Sequence, residues 1–117
     1  MNLILTLVFI GSLTPTAYRS VPSQTDSSPF ITATGEKVHN RGIAVSQDLL
    51  KKNGGPLDYG DLVYIEGVGY KFVFDCMNKR HKNRIDIWKA TYREEKEFDS
   101  KFKQKKLKVW LIKRSIK

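Results

Sequence analysis

Two aspartates occupy positions where a strand ordinarily carries something else. Asp75 ends the apolar run YKFVFD (70–75), and Asp86 sits between Ile85 and Ile87 in NRIDIW (83–88). Aspartate is depleted in strands because its side chain competes for nearby backbone hydrogen bonds. In an extended strand Asp86 points away from Ile85 and Ile87. It then either faces solvent or lines a cleft with an apolar wall. In a cleft, burial raises a carboxyl pKa and suits the group to general acid chemistry. Composition leaves both readings open.

Other reactive residues form weaker sets. Cys76 with His39 or His81 contains the parts of a thiol–imidazole pair, but no spacing orients either histidine onto the sulfur. Cys76 follows an apolar strand and reads as a small, half-buried core thiol. His39, His81 and a carboxylate lack the paired spacing of metal ligands, so no metal site is expected. The basic stretch NKRHKNR (78–84) has neither a glycine-rich cradle nor interleaved aromatics. Nucleic acid is therefore not an expected partner, and a basic nucleic-acid-binding barrel is the less favoured alternative.

The elements that must hold these residues are short. TPTAYRS (14–20) alternates and reads as a strand, SVPSQTDSSP (20–29) as a surface loop, and FITATG (30–35) ends in a turn. GIAV (42–45) reads as a short buried strand. Ser46 is placed to cap a short helix near Gln47–Lys52, which NGGP (53–56) stops. DLVYIEG and YKFVFDC, separated by Gly67 and Gly69, form a hairpin. NRIDIW is a further strand, the acidic start of TYREEKEF predicts a helix over Tyr92–Phe98, and LKVWLI (107–112) closes the chain as a strand. The pattern predicts an all-β fold, a small six-stranded barrel with one or two short helices.

With 117 residues, 40% of them hydrophobic and 28% charged, the chain supports one core; neither wholesale disorder nor a polytopic membrane protein is expected. Its single cysteine excludes an internal disulfide. The charge is segregated. Residues 1–78 hold six basic and seven acidic residues, whereas residues 79–117 hold fifteen basic and five acidic ones. The C-terminal third suits an anionic partner, whether nucleic acid, a phospholipid surface or an acidic wall polymer, or else serves as a solvated face. Asn2–Leu13 is an apolar run covering roughly 18 Å as a helix, short of the approximately 20 residues a membrane span needs. It suits the apolar region of an export signal, cleaved or kept as an anchor; a buried β-strand is the alternative. The expected division is thus a leader over 1–13 and a domain over 14–117.

Taken in order, TATG (32–35), GIAVS (42–46), DYGDLVYIEGVGYKFVFDCMN (58–78), NRIDIW and KVWLI (108–112) resemble the three-aspartate domain of cell-wall lytic enzymes. That domain occurs in membrane-bound lytic transglycosylase A and in stationary-phase secreted muralytic proteins. The likeness covers residues 14–112. Thr14, Thr16 and Tyr18 match its Thr-x-Thr-x-Tyr strand, Gly42–Val45 its second element, Asp75 its hairpin aspartate, and Asn83–Asp86 its Asn-Arg-Ile-Asp. Two positions depart from it. Ser46 stands where the family has its first aspartate, with Asp48 two residues on, and Cys76-Met77-Asn78 replaces Thr-Gly-Gly.

The resemblance implies a double-psi β-barrel that cleaves peptidoglycan glycan strands without water. The muramoyl 6-hydroxyl attacks its own anomeric carbon, and one carboxylic acid first donates and then accepts a proton. By position in the motif Asp86 is that catalytic acid/base and Asp75 its electrostatic neighbour, while Thr16, Tyr18, Asn83 and Arg84 bind substrate. No metal or organic cofactor is implied. The expected protein is a monomer exported to the cell envelope, of bacterial or phage origin, with membrane association through residues 2–13. A glycan-binding module without turnover is the alternative.

Overall fold

The computed structural model describes residues 2–19 and 41–116. Among them are six strands: β1 (Leu3–Tyr18), β2 (Gly42–Val45), β3 (Leu62–Ile65), β4 (Gly69–Cys76), β5 (Arg84–Trp88) and β6 (Leu107–Ile116). One α-helix, α1 (Tyr92–Phe102), lies between β5 and β6. The strands close into a barrel in the order β1-β5-β2-β4-β3-β6. Two neighbouring pairs, β1/β5 and β2/β4, are parallel, and the others run antiparallel. The protein is all-β, as the pattern of short strands predicts. The expected turn at 30–35, the loop at 20–29 and His39 lie outside the described residues.

Alternation builds the core. Ile43 and Val45, Val63 and Ile65, Ile85 and Ile87, and Val109 and Leu111 point inward from four strands, joined by Val73 and Leu13. Each fully buried aliphatic side chain contributes about 1.5–3 kcal/mol over its exposed state. Thr91 opens α1 by accepting the Glu94 N–H on its hydroxyl at 3.1 Å. The helix runs one turn past the expected Phe98, because Phe102 repeats the apolar position four residues on. The two rings meet at 4.7 Å and join the core.

The short helix expected near Gln47–Lys52 is instead two single 3₁₀ turns, Gln47–Leu49 and Lys51–Asn53. Leu50 is extended between them and bridges to Leu57. Ser46 makes no side-chain cap; its hydroxyl is committed elsewhere. Gly55 then follows so close to Leu49 that a Cβ would lie 2.2 Å from the Leu49 carbonyl carbon, so only glycine fits.

The position expected as a boundary, between Leu13 and Thr14, lies within a strand. β1 is continuous from Leu3, pairs antiparallel with β6 from Leu3↔Ile116 to Leu13↔Leu107, and passes a bulge between Phe9 and Gly11. Gly11 takes φ +146°, and Leu13 beyond it is 2% exposed in the core. The apolar run ends inside the barrel because its alternation matches that of β6. No helix among the described residues is long and apolar enough to cross a membrane.

Leu13→Ala is expected to cost about 2–5 kcal/mol in urea unfolding, the range for emptying a packed aliphatic site. Leu5→Ala, on the exposed half of the same strand, should stay within about 0.5 kcal/mol. Equal losses would place both halves of β1 in the core.

Candidate active site

The parallel β1/β5 register places Thr14 beside Arg84, Thr16 beside Asp86 and Tyr18 beside Trp88. Pro15↔Ile85 and Ala17↔Ile87 take the alternate positions, with Ile85 and Ile87 buried inside the barrel. Asp86 therefore lies on the outer side of the wall. The row continues across the sheet, since Asp86 pairs with Ala44 on β2 and Ala44 with Asp75 on β4. A bulge achieves this last alignment. The β2/β4 register jumps from Ile43↔Val73 to Ala44↔Asp75, leaving out Phe74. Without the shift Phe74 would stand opposite Ala44, so the bulge re-aims the β4 carboxylate into the row.

Thr16 Oγ1 donates to Asp86 Oδ1 at 2.7 Å, a short bond of the kind a carboxylate accepts. Asp75 Oδ1 accepts the Cys76 N–H at 2.9 Å. Burial pushes Asp86 up to about 6, against the Thr16 hydrogen bond, which favours the charged form. The negative charges of Glu95, Asp99 and Asp75 push it further in the same direction. Tyr18 is buried, and its phenol is pushed above its ordinary value by that burial and then by Asp75 and Asp86. It thus remains a hydrogen-bond donor beside both carboxylates. Tyr59 is raised too, by burial, by its bond to Cys76, and by the Cys76 and Asp75 charges.

The remaining predicted residues are placed differently. Arg84 shares the outer face of β5 with Asp86, two positions away, while Asn83 is exposed at the strand entry with φ +50°. Their backbone is clamped by the segment after β2. The Arg84 N–H donates to Ser46 Oγ at 3.0 Å, the Ser46 N–H donates to the Arg84 carbonyl at 2.9 Å, and the Asn83 N–H donates to Asp48 Oδ2 at 3.1 Å. Ser46, at 0% exposure, thus uses its hydroxyl to hold the start of β5. The structure brings Asp86, Asp75, Thr16 and Tyr18 together and sets Arg84 alongside them; Asn83 joins only through its backbone. Of the thiol and imidazole residues, Cys76 packs against the core and His81 takes the Arg80 Nε–H at 3.4 Å. The described residues hold no group of three or more metal-ligating side chains.

Reading the sequence placed the helix but missed what it brings to the site. Glu95 is 5% exposed and pairs with Arg19 at 3.3 Å, and Arg19 also lies over the Tyr92 ring at 5.1 Å. The signal was present. Glu95 sits three and seven residues before Phe98 and Phe102, a carboxylate on an otherwise apolar helix stripe. Thr16, expected to touch sugar, has its hydroxyl on the Asp86 carboxylate. The site can keep one carboxyl group protonated up to about pH 6, present it beside a phenol donor, and take the proton back. No protein-family model matches the chain, and no curated protein matches it in sequence.

The raised Asp86 pKa has a stability consequence with a definite sign. The folded state binds this proton more tightly than the unfolded chain, so the associated stability is complete below about pH 4 and is lost as pH rises through about 6. Asp86→Asn removes that loss while keeping an acceptor for Thr16. It should melt higher than the parent at pH 8, by on the order of 2 kcal/mol, and by much less at pH 4. Thr16→Val should raise the Asp86 titration midpoint further, read from its carboxyl carbon by NMR. A midpoint near 4 in the parent would remove the electrostatic picture.

Proposed function

We propose that this protein is a lytic transglycosylase that cleaves the β-1,4 bond between N-acetylmuramic acid and N-acetylglucosamine in peptidoglycan. The observation that carries the reading is the Thr16–Asp86–Ala44–Asp75 row, in which one carboxyl group is pushed up to about 6 beside a second carboxylate. The likeness to the three-aspartate domain supports it, and so does a six-stranded barrel with two parallel pairs, the architecture expected of a double-psi barrel.

In this reading Asp86 gives its proton to the glycosidic oxygen as the bond from that oxygen to the muramoyl anomeric carbon breaks. The muramoyl 6-hydroxyl then bonds to the same carbon and returns its proton to Asp86, so the product is a 1,6-anhydro sugar and the acid is regenerated. Asp75 helps keep Asp86 protonated and stabilises positive charge developing at the anomeric carbon. Thr16 holds the carboxyl group in place, and Tyr18 and Arg84 supply donors along the glycan. This differs from two-carboxylate hydrolysis, where a second carboxylate activates water or bonds to the sugar. Here Ser46 and Asp48 hold the β5 backbone, which keeps Asp86 in register where the family has its first aspartate. A cationic C-terminal third suits an envelope polymer rich in carboxylates.

Digestion of purified sacculi followed by mass spectrometry tests the assignment. Anhydro-muropeptides are expected from the parent, and Asp86→Asn should lower their yield at least about a hundredfold, the scale for losing a general acid. Asp75→Asn should cost less. Because the protonated form of Asp86 is required, cleavage should fall as pH rises through about 6. Reducing-end products would indicate a hydrolase instead, and protein bound to intact sacculi a binding module.

A further inference from the structure

The barrel wall opposite the carboxylate row carries a different surface. Beyond the barrel, Leu3–Leu7 pairs with Ile112–Ile116 as a two-stranded ribbon. Among the described residues β5 meets β1 only from Thr14, and β3 meets β6 only at Val109–Leu111. One face of this ribbon presents Leu3, Leu5, Leu7, Phe9 and Ile116, each more than half exposed, with Arg114 paired to Leu5. A half-solvated antiparallel pair ordinarily turns polar residues outward; here the row is apolar, and at a strand's rise it runs for about 20 Å. At its barrel end lies an aromatic collar across four strands. Phe9 meets Trp110 at 5.7 Å, Trp110 meets Tyr64 at 5.9 Å, and Tyr64 meets Tyr70 at 4.9 Å.

We propose that this ribbon face docks the folded protein on an anionic lipid bilayer, seated at the level of the headgroups. Charge selects this occupant. Arg114 lies in the apolar row, opposite Leu5, within a segment from residue 79 onward that holds fifteen basic and five acidic residues. A second copy would bring the same cations face to face, whereas lipid phosphates attract them. The ribbon's outer edges hold it at the surface, because backbone groups that find no partner strand cannot enter hydrocarbon. The Trp110 and Tyr collar then falls where aromatic side chains gather at membrane interfaces, with the leucines reaching about 5–10 Å into the headgroup boundary. The carboxylate row, on β5, β2 and β4, is left facing away from β6.

Cosedimentation of the full chain with vesicles tests this, using phosphatidylglycerol mixed with phosphatidylcholine against phosphatidylcholine alone. The parent should bind the anionic vesicles at least about tenfold better than the neutral ones. The double variant Leu5→Ser, Leu7→Ser should lose at least about tenfold of that binding with its melting temperature unchanged, since both side chains are exposed. Asp86→Asn should bind as the parent does, so failure here is separable from failure of the catalytic assignment. Sedimentation with neither vesicle overturns the proposal, as does anionic binding that the leucine variant retains in full. A concentration-dependent dimer that the leucine variant abolishes, without vesicle binding, would assign the face to a second copy instead.

Discussion

The phase of a five-residue strand governs the rest of the site. β5 inserts Ile85 and Ile87 into the core at 0% and 1% exposure, and that alone forces Asp86 to the outer side of the wall. A slip of one residue would drive a carboxylate into the aliphatic interior and expose both isoleucines. The competing register is therefore excluded by far more free energy than any single polar contact supplies. Everything polar at the site is built on this phase. The parallel pairing with β1 brings Thr16 to the carboxyl group, the antiparallel pairing with β2 brings Ala44, and the clamp of Ser46 and Asp48 on Asn83 and Arg84 fixes where the strand begins.

Ala44 sets the spacing between the two carboxylates. A larger side chain at this 4% exposed position would fill the space between Asp86 and Asp75. With alanine there, the two acids occupy alternate strands of one row and act on each other through charge. At hydrogen-bond distance Asp86 has the neutral Thr16 hydroxyl, and the Arg19 guanidinium pairs with the buried Glu95 on the helix. An acid surrounded by other acids, with a hydroxyl in place of a lysine or arginine, holds its proton into the range where proton transfer at neutral pH is possible. An arrangement built for stability alone would have paired it.

The parts of this arrangement that reside in local pattern were legible in the sequence. The strand GIAV, the hairpin about Gly67 and Gly69, and the outward direction of Asp86 all follow from period-two alternation and turn chemistry, and each is found. What depends on long-range pairing was not. The β4 bulge that skips Phe74 has no local signature, since Phe74 continues the apolar run as a regular strand residue would. Ser46 looks like a cap because a serine ahead of a helical turn usually is one. Its hydroxyl turns instead to Arg84, 38 residues away. Asn2–Leu13 shows the same limit. Its composition matches an export segment, and its pairing as a strand depends on β6 at the far end of the chain, which no local pattern reveals.

Closure of the barrel ties the two outer surfaces together. Six strands fill one narrow interior mainly with aliphatic side chains, so most polar and aromatic residues on those strands face outward. Outward positions are consequently where both the carboxylates and the exposed aromatics collect. Because β1 takes part in both rows, through Thr16 at its end and Phe9 at its middle, the bulge between Phe9 and Gly11 is the point where the strand passes from one surface to the other. Gly11, at φ +146°, supplies a backbone conformation that a side chain would resist. Rotating the strand there lets Leu13 enter the core while Phe9 stays with Trp110. A regular strand would hold Phe9 and Leu13 on the same face, as it does any residues four apart. The bulge breaks that constraint, and with it one chain segment serves the acid row at one end and the apolar ribbon at the other.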